Sequence, residues 1–491
     1  MKLKNRNLIL MALIIAFALA LRLIFFTGID SSDSLGYSKA AYDIANKAKF
    51  SEGAGVGTLR LGIVFPVSIL YFAFGVNEFS SNILALLASL GSIVLVYKIG
   101  KLLFNEKAGL LGAFLLSFFP FDVINSTRLN TDVTSAFFVG LSVYFFLKSE
   151  KEHCKNSKML LIFSGMSLGV AYLIKELSLL IALFFAAYCL YNKKIKARYF
   201  LAVPGFLAVA FMEIAYFYIM TGNPFYRYGY ISSDYATGII IENSMQGRSN
   251  LLTGFFHYPY VMFTDRLLGL FYPFILIATV YCIANKKREA NALLCWLLPI
   301  LIYLNFGSLS LGQYIPIPAT ARFLSTITIP GMLLLSFFLL QNVSVIKKTL
   351  KPTVIGLLLI TSIGYVYVSR DRFALNNERG IYEFLKSHPD KSIYSDEKTI
   401  AVLSYVYSYK NTDNLKSFNH YNPIKPEDTY ALNISSVKDS YIVINREIIS
   451  FLSSSKNGIR LPPEAFRIPE KWKLEKKTGE GENEIEVYYV S

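Results

Sequence analysis

Eleven apolar runs dominate the first 370 residues, near 8–26, 79–97, 108–121, 130–147, 159–174, 177–191, 199–220, 266–284, 290–306, 323–341 and 353–369. About 20 helical residues cross a hydrocarbon core of roughly 30 Å. Within that core every backbone amide and carbonyl must bond inside the protein, so only helices or closed barrels span it. The runs are continuously apolar rather than alternating, which excludes a β-barrel. The chain is therefore expected to be a polytopic α-helical membrane protein. Its charged content of 17%, against about 25% in soluble domains, agrees. The net charge of +15 points away from nucleic acid once its placement is considered.

The linkers sort into two sets. "MKLKNRN", "YKIGKLLFNEK", "KSEKEHCKNSK", "NKKIKAR", "NKKRE" and "VIKKTLK" are short and hold twenty of the forty-nine Lys and Arg. The others are longer and poor in basic residues. Short basic loops stay cytoplasmic, so the N-terminus is expected inside and residues 27–78, 221–265 and 307–322 outside. Everything after Arg370 then lies outside as well. "LGIVFPVSILYFAFG" (61–75) would be a twelfth span, but counting it inverts every later loop. It is read instead as a juxtamembrane helix on the outer surface. The N-terminal run lacks an A-x-A site and is long enough to span, so it is read as retained in an integral plasma-membrane protein.

The composition changes past 370. "KSIYSD", "YIVINR" and "EIEVYYV" read as strands, "EKTIAVLSYVYS" and "REIISFLSS" as helices. Residues 1–370 are thus expected to form a membrane domain and 371–491 a small α/β domain. Cys154, Cys189, Cys282 and Cys295 show no metal spacing and read as packing residues. The sequons at Asn125 and Asn433 fall on the outer side.

Ionisable groups at membrane depth cost roughly 2.5–3.5 kcal/mol each and are site candidates by default. On the outer side these are Asp30 and Asp33 in "GIDSSDSLGYSKAAYDIA", Arg60, Arg128 and Asp132 in "STRLNTDVTSAFF", Lys175 and Glu176 in "AYLIKELSLL", Arg227 in "TGNPFYRY", and Arg322 in "PIPATARFLSTITIP". Each has a plainer alternative. The aspartates suit helix N-caps, Lys175–Glu176 an exposed pair of little worth, and Arg322 an interfacial anchor. His257 reads as structural. The inner lysine clusters read as topology signals. Together, a few carboxylates and several cations on one side suit an anionic, lipid-linked substrate.

These stretches carry a resemblance. An acidic motif after the first span, here Asp33 with Tyr37 and then Ala40, Ala41 and Ala45, resembles that of the GT-C superfamily of membrane glycosyltransferases. Within it the chain most resembles the dolichyl-phosphate-mannose protein mannosyltransferase and lipid A aminoarabinose transferase group. Ser34 stands where that family has Glu, leaving Asp30 as a secondary candidate acid. "RLGIVFPVSILYFAFGVNEFSS" resembles the family's basic, Pro-containing juxtamembrane helix with Arg60 ahead of it. Asp132 lies in the segment that brings a second carboxylate. "GVAYLIKELSLL" is similar to the Gly-x-x-x-x-Thr-Lys turn, with Ile174 at the Thr, and "ARFLSTITIP" to the Arg-aromatic opening of a late span. The resemblance covers roughly residues 1–340.

It implies about eleven transmembrane helices with an extracytoplasmic site, and a sugar donor joined through phosphate to a polyprenol. The acceptor would be a protein, lipid or glycan hydroxyl attacking by inverting displacement. Asp33 is then the expected base. Lys175, Arg60, Arg322 and Arg128 would bind phosphate or donor with Tyr37, and Asp132 would position the acceptor or orient Lys175. Glu176 and Arg227 are further candidates. No cofactor is implied. A metal-dependent oligosaccharyltransferase is the alternative enzyme, although its Trp-Trp-Asp signature is missing. A transporter or lipid flippase is the alternative class, against which the halves show no paired repeats.

Overall fold

The computed structural model describes residues 2–30, 33–47, 55–151, 156–193, 195–231, 252, 254–310, 312, 314–341, 350–373, 375–420, 430–431, 437–448, 468–481 and 484–491. Among them, seven helices are long and apolar enough to cross a membrane: Arg6–Ile24, Glu78–Leu103, Ser157–Ile174, Ala197–Thr221, Arg288–Phe306, Ala321–Leu340 and Lys351–Arg370. The remaining four expected spans fall on shorter helices, Glu106–Ser117, Ala182–Asn192 and Phe271–Ala284, and on the 20-residue helix Asp132–Lys151. The helix Ala321–Leu340 is the hub, with 89% of its apolar window buried by neighbours.

The elements that build the site come first in the chain. They are α1 (Lys2–Ile24), α2 (Asp33–Lys47), α3 (Leu61–Phe74), α4 (Glu78–Leu103), α5 (Glu106–Ser117), α6 (Pro120–Asn125), α7 (Asp132–Lys151) and α8 (Ser157–Ile174). Helix α3 covers the segment expected to lie along the membrane surface. Its 14 residues span about 21 Å. Leu61, Val64, Val67 and Tyr71 bury one face, while Phe65, Ile69 and Phe72 stand exposed on the other. Gly62 explains why α3 sits so close to the end of α8: a Cβ there would meet the Ile174 backbone nitrogen at 2.9 Å. That contact lays Arg60 beside the Lys175 turn.

A buried pair escaped the sequence reading. Arg22, fully buried at the end of α1, donates from Nε to Ser89 Oγ at 2.8 Å and from Nη1 to the carbonyls of Ala18 and Ser117, both at 2.9 Å. Its Nη2 meets Asp122 Oδ1 at 2.5 Å. One guanidinium thus ties α1 to α4, α5 and α6.

The C-terminal part contains the expected sheet. Strands β1 (Ser392–Ser395), β2 (Leu415–Ser417), β3 (Asn419–His420), β4 (Tyr430–Ala431), β5 (Ser440–Asn445), β6 (Lys473–Thr478) and β7 (Ile485–Val490) include a five-stranded sheet of order β2-β1-β5-β7-β6. β1 is parallel to β2 and β5, while β7 is antiparallel to β5 and β6. β5 is buried throughout, as its apolar run "YIVI" requires of a central strand: Tyr441 and Val443 face one core, Ile442 and Ile444 the other. The helix Glu397–Val406 matches the expected one and is capped by Asp396, which accepts from Thr399 N at 2.9 Å. Of the helix read from "REIISFLSS" only residues 446–448 are described, as helix, and the rest, with Asn433 and Cys154, lies outside the described residues.

This module docks on the membrane part through side chains. Arg379 pairs with Glu78, whose Oε2 accepts from Ile29 N at 2.9 Å. A chain of buried hydroxyls crosses the seam: Tyr409 donates to Ser38 at 3.0 Å, Ser38 meets Tyr71 at 2.7 Å, Tyr71 meets Ser81 at 2.8 Å, and Ser81 meets Tyr405 at 3.1 Å. Val402, Tyr405 and Tyr409 share one apolar cluster with Leu35, Tyr37 and Ala41 of α2.

Candidate active site

Asp33 opens α2, and Asp132 opens α7, so both carboxylates stand at helix N-termini, where the helix dipole favours negative charge. The backbone of Asp132 is fixed by its own neighbour, for Asn130 Oδ1 accepts from Asp132 N at 3.0 Å. Lys175 ends α8 in an extended conformation (φ −157°) before the 3₁₀ turn Glu176–Ile181. Its backbone still bonds Ala171 O at 2.9 Å, while its side chain leaves the helix axis. Arg322 lies in the 3₁₀ turn Ala321–Leu324 that starts the hub helix.

These four side chains form one continuous chain. Lys175 Nζ pairs with Asp132 Oδ1, and both side chains are only 4% exposed. Arg322 reaches Asp132 Oδ2 through Nε at 3.3 Å and Asp33 Oδ2 through Nη2 at 3.2 Å. Arg322 is 39% and Asp33 52% exposed, so the chain runs from a buried Lys–Asp pair to an accessible Arg–Asp pair. The Lys175 ammonium lies 4.8 Å from the Phe323 ring centroid, a further contact for a desolvated cation.

A second chain runs alongside. Arg60 donates to the Tyr37 hydroxyl and lies 3.6 Å from Glu176 Oε2. Glu176 Oε1 accepts from Arg227 at 2.6 Å, and Arg227 also pairs with Glu213 and donates to Tyr172 O at 2.9 Å. Burial holds the Tyr37 phenol above its ordinary pKa, so it stays neutral beside Arg60. Asp33, Arg322 and Asp132 all lie within electrostatic reach of Tyr37, which joins the two chains.

The candidate acid Asp30 sits in a different arrangement. It pairs with Arg128 and accepts from Ser34 Oγ, the residue at the position where the family has Glu. Arg128 also donates to Asn125 Oδ1 at 3.1 Å, and Asn130 donates to the same oxygen at 2.6 Å. Asp30 and Arg128 thus brace the 125–132 segment beneath Asp132. Asn125, whose sequon was placed on the outer side, is 4% exposed and donates its amide to Phe121 O at 2.8 Å, so it is closed to glycosylation in this fold.

Glu213 was missed by the sequence reading. A lone acid in "FLAVAFMEIAYFYIM" was the available signal. Two buried hydroxyls, on Thr131 next to Asp132 in sequence and on Thr320 two residues before Arg322, have no hydrogen-bond partner among the described residues. No group of three or more His, Cys, Asp or Glu gathers as a metal-holding set among the described residues. The acids of the site face cations instead.

Comparison with known proteins now bears on this geometry. Residues 63–219 match the family described as dolichyl-phosphate-mannose-protein mannosyltransferase. No curated protein matches the chain. Among solved structures it is similar to ArnT from Cupriavidus metallidurans bound to undecaprenyl phosphate, at 12% identity and a TM-score of 0.66, over 97% of both chains. It is also similar to the Archaeoglobus fulgidus oligosaccharyltransferase tethered to an acceptor peptide, at 14% identity and a TM-score of 0.60, over 99% of this chain and 74% of that one. A third similar structure is the oligosaccharyltransferase AglB from Archaeoglobus fulgidus in complex with an inhibitory peptide and a dolichol-phosphate. There the identity is 12% and the TM-score 0.52, over 82% of this chain and 64% of that one. The matched segment 63–219 contains Asp132, Lys175, Glu176 and Glu213, while Asp33 and Arg322 come to them from either side in sequence. Residues 63–219 carry the match to the dolichyl-phosphate-mannose-protein mannosyltransferase family, and the chain as a whole has the fold of the GT-C glycosyltransferases.

Proposed function

We propose that the chain transfers a sugar from a polyprenyl-phosphate donor to an acceptor hydroxyl, by direct displacement with inversion, on the extracytoplasmic side. The observation that carries this reading is the unbroken Asp33–Arg322–Asp132–Lys175 chain, which links an accessible carboxylate through one guanidinium to a buried Asp–Lys pair. The family match and the fold make a lipid-phosphate donor the natural substrate class. The lysine-rich short linkers support the sidedness.

In this reading the acceptor oxygen forms a bond to the anomeric carbon as the bond from that carbon to the phosphate oxygen breaks. Asp33 takes the acceptor proton, a contribution of about 10²–10⁴-fold in rate. Its 52% exposure leaves room for that acceptor. The departing phosphate gains charge, so cations already in place stabilise the transition state more than the ground state. Arg322 is best placed for this because it is the exposed cation, shared by two carboxylates; Lys175 supplies a second charge from behind Asp132. Asp132 orients Lys175, and Arg60 with Tyr37 flanks the donor. Phosphate leaves without a general acid.

The test is transfer from radiolabelled polyprenyl-phosphate sugars by the purified full chain in phospholipid vesicles. The reading expects release of polyprenyl phosphate with at least one donor. Failure with every donor in a panel of hexosyl and pentosyl phosphates, by protein that remains folded, would overturn it.

A further inference from the structure

An apolar cavity of about 270 Å³ lies among α7, α8 and the helices Ala182–Asn192 and Ala202–Thr221. Its walls include Phe146, Leu168, Phe185, Cys189 and Phe206, and Val203, 48% exposed, stands at its lip. The serines that line it satisfy each other: Ser142 and Ser164 lie 3.2 Å apart, and Ser164 donates to Ser142 O at 2.8 Å. The interior therefore offers hydrocarbon contact and nothing polar in need of a partner. A cavity of roughly 150 Å³ already holds a benzene ring, so this one takes a segment of alkyl chain.

Among the described residues, the ion cluster at its end carries more cations than anions. One turn beyond Phe146, Glu150 is 12% exposed and pairs with Lys196 at 2.7 Å and with Arg198. It also accepts from the hydroxyl of Tyr199, whose ring lines the cavity. One carboxylate thus serves two cations, and the cations are the exposed members, at 39% and 30%. The triad presents net positive charge next to an apolar hole in a membrane helix bundle. Glu150 lies eighteen residues along α7 from Asp132, about 27 Å by helical rise, so this feature is separate from the candidate active site.

We propose that this cavity binds an anionic glycerophospholipid, one acyl chain in the hole and the phosphate on Lys196 and Arg198. The apolar walls fit the chain, the uncompensated cation fits the headgroup, and the position fits the membrane boundary opposite the site. A polyprenyl phosphate shares the phosphate chemistry and is the competing occupant for the same two cations. The basic linker "NKKIKAR", a topology signal in the sequence, is thereby also a headgroup site.

The test uses the purified full chain in nanodiscs, delipidated and re-equilibrated with equal phosphatidylglycerol and phosphatidylcholine, then read by native mass spectrometry. Wild type is expected to retain phosphatidylglycerol selectively. Lys196→Gln leaves Glu150 paired with Arg198 and should cut that preference about fivefold, the effect of one cation near a charged surface. Val203→Trp, at a position 48% exposed, fills the lip and should abolish selective retention. Equal retention of the two lipids would overturn the proposal, as would retention untouched by Val203→Trp or displacement of phosphatidylglycerol by added undecaprenyl phosphate. None of these readouts depends on sugar transfer.

Discussion

The Arg22–Asp122 pair and the Asp33–Arg322–Asp132–Lys175 chain both set opposite charges inside an apolar helix bundle, yet they differ in what they leave over. Arg22 is fully buried, and its Nε, Nη1 and Nη2 all have partners on four different turns of chain. Asp122 accepts from both Arg22 and Ser89. Nothing there is open to a ligand, and a satisfied buried pair is held in place by the cost of breaking it. The second chain is graded. Its inner half is as buried as the Arg22 pair, while its outer half, Asp33 and Arg322, is exposed and shares donors at 3.2–3.3 Å. A charged group that is fixed yet accessible can exchange its protein partner for a substrate; one that is fixed and enclosed can only hold helices together.

Substitutions can break that contrast. The largest structural effect is expected from Arg22→Met, which leaves Asp122 buried without its cation and should cost about 3–5 kcal/mol of stability. Thermal unfolding in detergent checks this, and the double change Arg22→Met with Asp122→Leu should restore most of the loss, because apolar replacement of a whole buried pair is tolerated. Donor affinity in whatever protein remains folded should be unchanged. Next, Arg322→Ala should lower kcat by about 10²–10³-fold, as for loss of one preorganised charge at a reacting group, with little change in unfolding temperature because Arg322 is 39% exposed. Steady-state kinetics against melting data separates the two. Smaller again, Tyr409→Phe removes one hydrogen bond in the hydroxyl chain that seats the C-terminal module on α2 and should cost about 1 kcal/mol. Because Asp33 begins α2, the same change should raise the acceptor KM more than it lowers kcat.

The members of the candidate cluster were legible from sequence because ionisable residues are so scarce in an apolar chain. Once the lysine-rich linkers are set aside, Asp33, Asp132, Lys175 and Arg322 are among the few charges left, and the fold brings these four together. Arg22 was hidden for the opposite reason: it lies inside the run 8–26, where one charge near the end of a span passes as an interfacial residue. Only its contact with Asp122, a hundred residues later, reveals its role. Asp30 shows the limit of proximity in sequence. It sits three residues from Asp33, yet its carboxylate belongs to Arg128 and Ser34. The seam between the membrane part and the C-terminal module was out of reach, since Arg379–Glu78 and Tyr409–Ser38 join residues more than 300 positions apart. The α3 segment, by contrast, is set apart by charge topology alone, because counting it as a twelfth span moves every later lysine cluster to the opposite side.

The most direct test is the rate of polyprenyl phosphate release by Asp33→Asn in protein whose melting curve matches wild type. Amide for carboxylate keeps shape and hydrogen bonding to Arg322 but removes the proton acceptor. A fall of about 10²–10⁴-fold in kcat with donor KM nearly unchanged is the expected result. Retention of most of the wild-type rate would contradict the account.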